Sequence, residues 1–127
     1  MMDIFSSILE GDILRCMLLL DTLDDVNIRI QDHTDDRTVL MDLCVAGMYV
    51  VANRLLDLGA DPNVTDESGF TALHYCMNRN GNKCVELLLR YGADINAVTT
   101  AGETPLALAN NNGDKEMVAL LRKYGAI

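Results

Sequence analysis

The stretch Gly59–His74, GADPNVTDESGFTALH, returns 33 residues later as Gly92–Ala107, GADINAVTTAGETPLA. Gly-Ala-Asp falls on Gly-Ala-Asp, Asn63 on Asn96, Thr71 on Thr104 and Leu73 on Leu106. One step earlier Thr38 and Leu40 hold the same places, and Gly125-Ala126 falls on Gly92-Ala93 at the far end. A fixed period of this size marks a repeat architecture, in which each unit is one supersecondary module. The first segment joins when three inserted residues within 28–37 widen the shift to 36. Gly11 then matches Gly47, and Asp25-Val26-Asn27 matches Asp61-Pro62-Asn63. The chain therefore divides into units at about 1–30, 31–64, 65–97 and 98–127, read as one domain over 1–127.

Each unit reads as a helical hairpin. In the third, the Thr71 hydroxyl is placed to cap a helix start, Leu73 and Cys76 form its apolar stripe, and Asn80-Gly81 supplies a turn. A second helix over about Lys83 to Arg90 carries Val85, Leu87, Leu88 and Leu89, which is too apolar for a lone surface helix. Gly92 suits its left-handed C-terminal cap, and a polar connection follows from Asp94 to Gly102. One such hairpin cannot bury its own apolar faces, so the units must stack into a short solenoid. Both ends depart from the pattern as capping repeats do. Arg122 stands where Leu56 and Leu89 stand, and the first unit opens on Met2-Asp3-Ile4-Phe5 instead of Thr-x-Leu-His.

Composition narrows the function. The 127 residues are 50% hydrophobic with a net charge of -9, and the sequence pI is about 4.4. Such a charge opposes nucleic acid, whose phosphates demand a basic surface, and opposes anionic membranes equally. It favours steering toward a protein partner with a basic surface. No apolar run approaches the roughly 18 residues of a membrane span, and no signal peptide is evident, so an intracellular location, cytoplasmic or nuclear, is expected. Cys16, Cys44, Cys76 and Cys84 sit in apolar helical patterns and read as buried free thiols. Neither they nor His33 and His74 have zinc-ligand spacing, and no metal or cofactor is expected.

Thr71-Ala72-Leu73-His74 and Thr104-Pro105-Leu106-Ala107 resemble the T-P-L-H motif of the ankyrin repeat family. Gly59-Ala60-Asp61-Pro62-Asn63 and Gly92-Ala93-Asp94-Ile95-Asn96 resemble its G-A-D-V-N motif. The resemblance covers nearly the whole chain. It implies an all-α solenoid of stacked antiparallel helix pairs with β-hairpin fingers projecting from one edge. It further implies a non-catalytic module, expected to be a monomer, that binds another protein through fingertips and the exposed side of the first helices. The histidine of the motif looks structural in the family, tying neighbouring repeats together; here Met41 and Ala107 take its place in the second and fourth units. The spacing of Leu19, Leu55 and Leu88 to Asn27, Asn63 and Asn96 resembles that recognised by an asparaginyl hydroxylase of ankyrin repeats, although such asparagines more often serve only the turn.

Candidate partner-binding residues follow from the alignment of the units. The longer first finger offers Asp32, His33, Asp35, Asp36 and Arg37, the next Glu67, Ser68 and Phe70, and the last Thr100, Ala101 and Glu103. Asn78, Arg79, Asn111 and Asn112 occupy first-helix positions that the family leaves exposed. Phe70 is the best single anchor, a role aromatics favour at interfaces, unless its ring packs on its own finger. Asp32, Asp35 and Asp36 lack the ligand spacing of a calcium loop, and Asn80-Gly81-Asn82-Lys83 lacks the pattern of a phosphate loop. Two further readings stand beside the interaction module. A kinase inhibitor resembling the ankyrin-type cyclin-dependent kinase inhibitors would shorten the first helix of the second repeat, yet Thr38 to Gly47 keeps full spacing. A thiol enzyme or redox sensor would need Cys76 or Cys84 exposed as a thiolate. In the second unit, Leu43 replaces the small Cys76 and Ala109, which requires a neighbour such as Ser6 or Ser7 to yield space. Asp42 has no evident role in the sequence.

Overall fold

The computed structural model describes residues 4–23, 25–29, 36–78 and 81–127. Helix starts are set by side chains that satisfy the first free amides. Asp12 accepts from the Arg15 amide at 3.0 Å and Asp114 from the Met117 amide at 3.0 Å. Thr38 accepts from the Met41 amide at 3.3 Å and Thr104 from the Ala107 amide at 3.1 Å. These caps start four of the helices, which in order are α1 (Ile4–Glu10), α2 (Ile13–Leu20), α3 (Val39–Ala46), α4 (Tyr49–Asp57), α5 (Ala72–Tyr75), α6 (Asn82–Arg90), α7 (Pro105–Asn111) and α8 (Lys115–Lys123); α4 and α6 begin at Met48 and Gly81 without a side-chain cap. Gly11, Gly47 and Gly113 turn the chain between paired helices with φ of 71°, 70° and 69°, a conformation open to glycine at little cost.

The helices pair within each unit as α1–α2, α3–α4, α5–α6 and α7–α8. Across units α1 packs on α3, α3 on α5 and α5 on α7, while α2 packs on α4 and α4 on α6. The fold is the expected all-α solenoid. Its continuous core runs through Leu20, Leu43, Val51, Leu55, Leu73, Val85, Leu88, Met117 and Leu121, all at most 1% exposed. Leu43 and Ser7, one of the two small residues expected to make room for it, are both fully buried, and α1 packs on α3. Arg122 and Lys123 are exposed, so the outer side of α8 is polar.

Two local expectations change. The second and third fingers, at 66–70 and 99–103, are tight turns: among the described residues no strand forms, and Arg29 and Thr38 make an isolated antiparallel bridge. The first helix of the third unit stops after four residues, at Tyr75, where its counterparts α3 and α7 run for eight and seven. Its apolar stripe therefore ends with Cys76 at the cap instead of inside the helix.

Candidate interaction surface

The second finger is organised by Asp66, a buried carboxylate that the sequence reading did not single out. One oxygen accepts from the amides of Ser68 and Phe70, each at 2.9 Å, and the other accepts from the Tyr75 hydroxyl. The Asp66 amide donates to the Phe70 carbonyl at 3.0 Å and closes the turn. Asp66 thus ties the finger to α5, since Tyr75 is the last residue of that helix. The available signal was an aspartate three residues before a glycine, the local pattern of a side chain that folds back on its own turn. In the third finger Thr99 stands in for Asp66: its hydroxyl accepts from the Glu103 amide at 3.1 Å, and its amide donates to the Glu103 carbonyl at 2.9 Å.

The two fingers are joined. The Thr100 amide and hydroxyl both donate to the Ser68 carbonyl, at 3.0 and 3.1 Å. At Gly69, φ is 78° and an added Cβ would lie 2.9 Å from the Thr100 nitrogen, so a side chain there would push the fingers apart. The result is a row of exposed residues, Glu67, Ser68, Thr100 and Ala101, on a braced backbone. Glu103 is half-buried beside them. Phe70 is also half-buried, its ring 5.4 Å from both the His74 and Tyr75 rings, so much of it packs on its own repeat.

The other candidates are placed as follows. Asn111 and Asn112 are exposed and Asn78 is half-buried. Two of these amides do structural work: Asn112 donates to the Met77 carbonyl at 3.0 Å and Asn78 to the Tyr75 carbonyl at 2.9 Å. Asp36 pairs with Arg29 at 3.2 Å, and Arg29 also donates to the Thr65 carbonyl at 3.0 Å, bracing the first finger against the second. Arg37 pairs with Asp42 at 3.5 Å, which supplies the role for Asp42 that the sequence alone did not. Asp32, His33, Asp35 and Arg79 lie outside the described residues.

His74 is structural in its contacts. Its Nδ1 accepts from the Thr71 amide at 3.1 Å and its Nε2 donates to the Glu103 carbonyl at 3.0 Å. The imidazole and the Thr71 hydroxyl together form a capping box at the start of α5, and the ring links the third unit to the fourth. Burial lowers its pKa from 6.5 against the raising effect of carbonyl contacts, which keeps the ring neutral, as an acceptor at Nδ1 must be. The equivalent Met41 uses its sulfur in the same way, accepting from the Thr38 amide at 3.3 Å. With both ring nitrogens engaged, His74 presents no base to a substrate.

Cys44, Cys76 and Cys84 meet in the core, and all four cysteines are buried and free. Cys44 is held well up by its sulfhydryl contacts with Cys76 and Cys84 and by burial, and Cys76 well up chiefly by burial. Cys84 accepts from both and is lowered. At 0% exposure its sulfur is closed to a dissolved substrate. No cluster able to hold a metal ion occurs among the described residues. No helix among them is long and apolar enough to cross a membrane.

Asparagines join the units at the far end of each second helix. Asn27 accepts from the Asp61 amide at 2.8 Å, Asn63 from the Asp94 amide at 2.8 Å and Asn96 from the Ile127 amide at 3.2 Å. This ladder of one side-chain oxygen per joint repeats the sequence period in space. The family model of ankyrin repeats in three copies matches residues 4–99 and 40–127. An ankyrin repeat protein of Acanthamoeba polyphaga mimivirus is 43% identical over 65 residues, covering 50% of this chain and 16% of that protein. Ankyrin repeat domain-containing protein 46 of Rattus norvegicus is 33% identical over 59 residues, covering 46% of this chain and 26% of its own. The ADP-ribosylation factor GTPase-activating protein AGD4 of Arabidopsis thaliana is 34% identical over 68 residues, covering 49% of this chain and 9% of its own. This chain therefore spans about a quarter or less of these relatives. Period, stacked helix pairs, asparagine ladder and family match agree: the chain belongs to the ankyrin repeat family.

Proposed function

We propose that this protein is a non-catalytic interaction module, one domain over 1–127 with units at about 1–30, 31–64, 65–97 and 98–127, that binds a protein through its fingertips and concave first-helix surface. Ankyrin repeats are generally protein–protein interaction modules, and the observation that supports a finger-centred reading is the brace from Thr100 to Ser68. A row held in place before binding loses little conformational freedom on binding, which leaves more of the contact energy as affinity. Glu67, Ser68, Thr100, Ala101 and Glu103 form its middle, and Asp36 and Arg37 of the first finger are included together with Asp32, His33 and Asp35. Phe70 contributes the exposed part of its ring, Asn78, Asn111 and Asn112 extend the contact beyond the finger row, and Arg79 is included with them. The net charge of -9 favours a partner with a basic surface over nucleic acid or an anionic membrane. The location that fits is intracellular, cytoplasmic or nuclear.

Kinase inhibition is the weaker reading, because α3 in the second unit keeps eight residues and the shortened helix is α5 in the third. Thiol chemistry is weaker still, because Cys76 and Cys84 are fully buried. Quantitative affinity capture from the native source tests the finger reading. Phe70→Ala combined with Glu67→Lys or Glu103→Lys is expected to lower partner recovery by about tenfold while leaving the circular dichroism spectrum unchanged. Unaltered recovery would move the binding surface off the fingers.

A further inference from the structure

Three thiols share the joint between the second and third units. Cys44 lies on α3, Cys76 caps the C-terminal end of α5 and Cys84 sits in the first turn of α6. All three are at 0% exposure, α3 and α6 both pack on α5, and the sulfhydryls contact one another. The repeat does not demand thiols at these places. One period later Met77, Ala109 and Met117 stand where Cys44, Cys76 and Cys84 stand, and each is buried as a purely apolar group.

Two of the three belong to one hairpin. Seven residues separate Cys76 from Cys84, and backbone bonds fold the ends together. The Asn78 amide donates to the Cys76 carbonyl at 2.7 Å, the Gly81 amide to the Asn78 carbonyl at 3.2 Å and the Val85 amide to the Gly81 carbonyl at 2.9 Å. The approach is so close that a Cβ on Gly81 would lie 1.6 Å from the Cys76 carbonyl oxygen. This hairpin also combines a helix of four residues with a helix start that has no side-chain cap. A local opening of the stack costs least where helix ends are held by so few bonds. Cys16, equally buried, lies on α2, whose start is capped by Asp12, and Cys44 lies on α3, whose start carries the capping box of Thr38 and Met41. Opening at α6 thus exposes Cys76 and Cys84 together and leaves the other two thiols in place.

We propose that Cys76 and Cys84 form a modification site, a dithiol that hydrogen peroxide oxidises to a disulfide when the start of α6 opens, stapling the α5–α6 hairpin. Cys84 reacts first. Hydrogen bonds with Cys44 and then Cys76 favour its thiolate, which is the nucleophilic form. Its sulfur attacks one peroxide oxygen, the O–O bond breaks, and the departing hydroxide takes up a proton and leaves as water, giving a sulfenic acid. The Cys76 sulfur then displaces the sulfenic hydroxyl, the S–S bond forms, and the Cys76 proton leaves with that hydroxyl as a second water. Two thiols have lost two electrons and two protons, and one peroxide has become two waters. The bridge closes a short loop across the thinly held edge and so restricts its opening. It modifies the scaffold and is not a catalytic role, and it stands or falls separately from the finger reading.

The test is to treat the full chain with hydrogen peroxide under native conditions, alkylate the remaining thiols and map tryptic peptides by mass spectrometry, which also reads methionine oxidation apart. Trypsin cuts after Arg79 and after Lys83, so the bridge joins two otherwise separate peptides. Two of the four thiols should be lost as that one pair, with Cys16 and Cys44 recovered in alkylated form. Dithiothreitol should restore both. Amide exchange over 82–85 should slow by at least about tenfold in the bridged protein. Cys44→Ala should still yield the same pair, and the mapping of the wild type decides the matter even if that variant folds poorly. Four surviving thiols, a bridge that includes Cys44 or Cys16, sulfinic acid in place of a bridge, or exchange that the bridge leaves unchanged would each overturn the proposal.

Discussion

The two edges of the third repeat are built from adjacent residues and held in opposite ways. At the finger edge Asp66, Phe70, Thr71, His74 and Tyr75 satisfy one another, and two bonds reach the next finger. At the helical-turn edge α5 ends after four residues, and α6 begins at Gly81, which has no side chain to cap it, where α2 and α8 begin at Asp12 and Asp114. A braced edge suits recognition, and a thinly capped edge is where a stack yields first. Rigidity in this repeat is therefore unevenly distributed, and substitutions on either side measure the imbalance.

The largest effect is expected from Leu73→Ala, because Leu73 is fully buried between the two edges. Its loss should destabilise the protein by about 2 to 5 kcal/mol, through lost burial and the cavity left behind. Urea denaturation followed by circular dichroism measures this, and a near-zero change would contradict the register on which every alignment above depends. Gly81→Ala comes next. An added Cβ would sit 1.6 Å from the Cys76 carbonyl oxygen, an overlap with backbone that only a shift of the turn relieves. A cost of about 3 kcal/mol is expected for such overpacking. Hydrogen exchange should show the loss of protection concentrated in α5 and α6, and a neutral result would mean that this edge is loose enough to absorb a methyl group.

Asp66→Ala attacks the other edge. It removes the shared acceptor of the Ser68 and Phe70 amides and the Tyr75 hydroxyl, at a cost of about 1 to 2 kcal/mol for such part-buried bonds. Because the fingers carry the proposed contact, partner capture should fall along with stability. Capture that survives at full strength would separate the brace from recognition.

What the sequence revealed depends on its period and its resemblance: the helix pairs, the threonine caps and the buried thiols can be read from residues at fixed offsets, and the structural role of His74 follows from the family resemblance. What it hid depends on the facing of surfaces. The bonds from Lys83 to Tyr49 and from Tyr91 to Asn53 and Asp57 join residues 34 to 38 apart, set by how one helix is rotated against the next. The pairing of Asp42 with Arg37 was equally invisible, since the equivalents Tyr75 and Leu108 are uncharged and the repeat offers no template for it. Among candidate site residues, Glu67, Ser68, Thr100 and Ala101 are exposed, whereas packing of the Phe70 ring against His74 and Tyr75 is a matter of side-chain placement that no offset encodes.

The smallest and most specific test concerns the tie from His74 to the fourth repeat. Its folded pKa lies below the ordinary 6.5 because burial disfavours the charged ring, so the unfolded chain binds the proton more readily. Stability from the neutral ring is full above 6.5 and drains away as the pH falls through the lowered folded value, where protonation removes the Nδ1 acceptor used by the Thr71 amide. His74→Gln isolates this contribution, because a glutamine offers one acceptor and one donor in place of the neutral imidazole. It should cost less than about 1 kcal/mol near neutral pH, since both hydrogen bonds have a substitute. Denaturation curves repeated from about pH 7.5 down to about pH 5.5, the span in which histidine titrates, should fall less steeply for the variant than for the wild type. Parallel slopes would show that the finger edge does not depend on the charge state of His74, and that its brace resides in Asp66 and the Thr100 bonds alone.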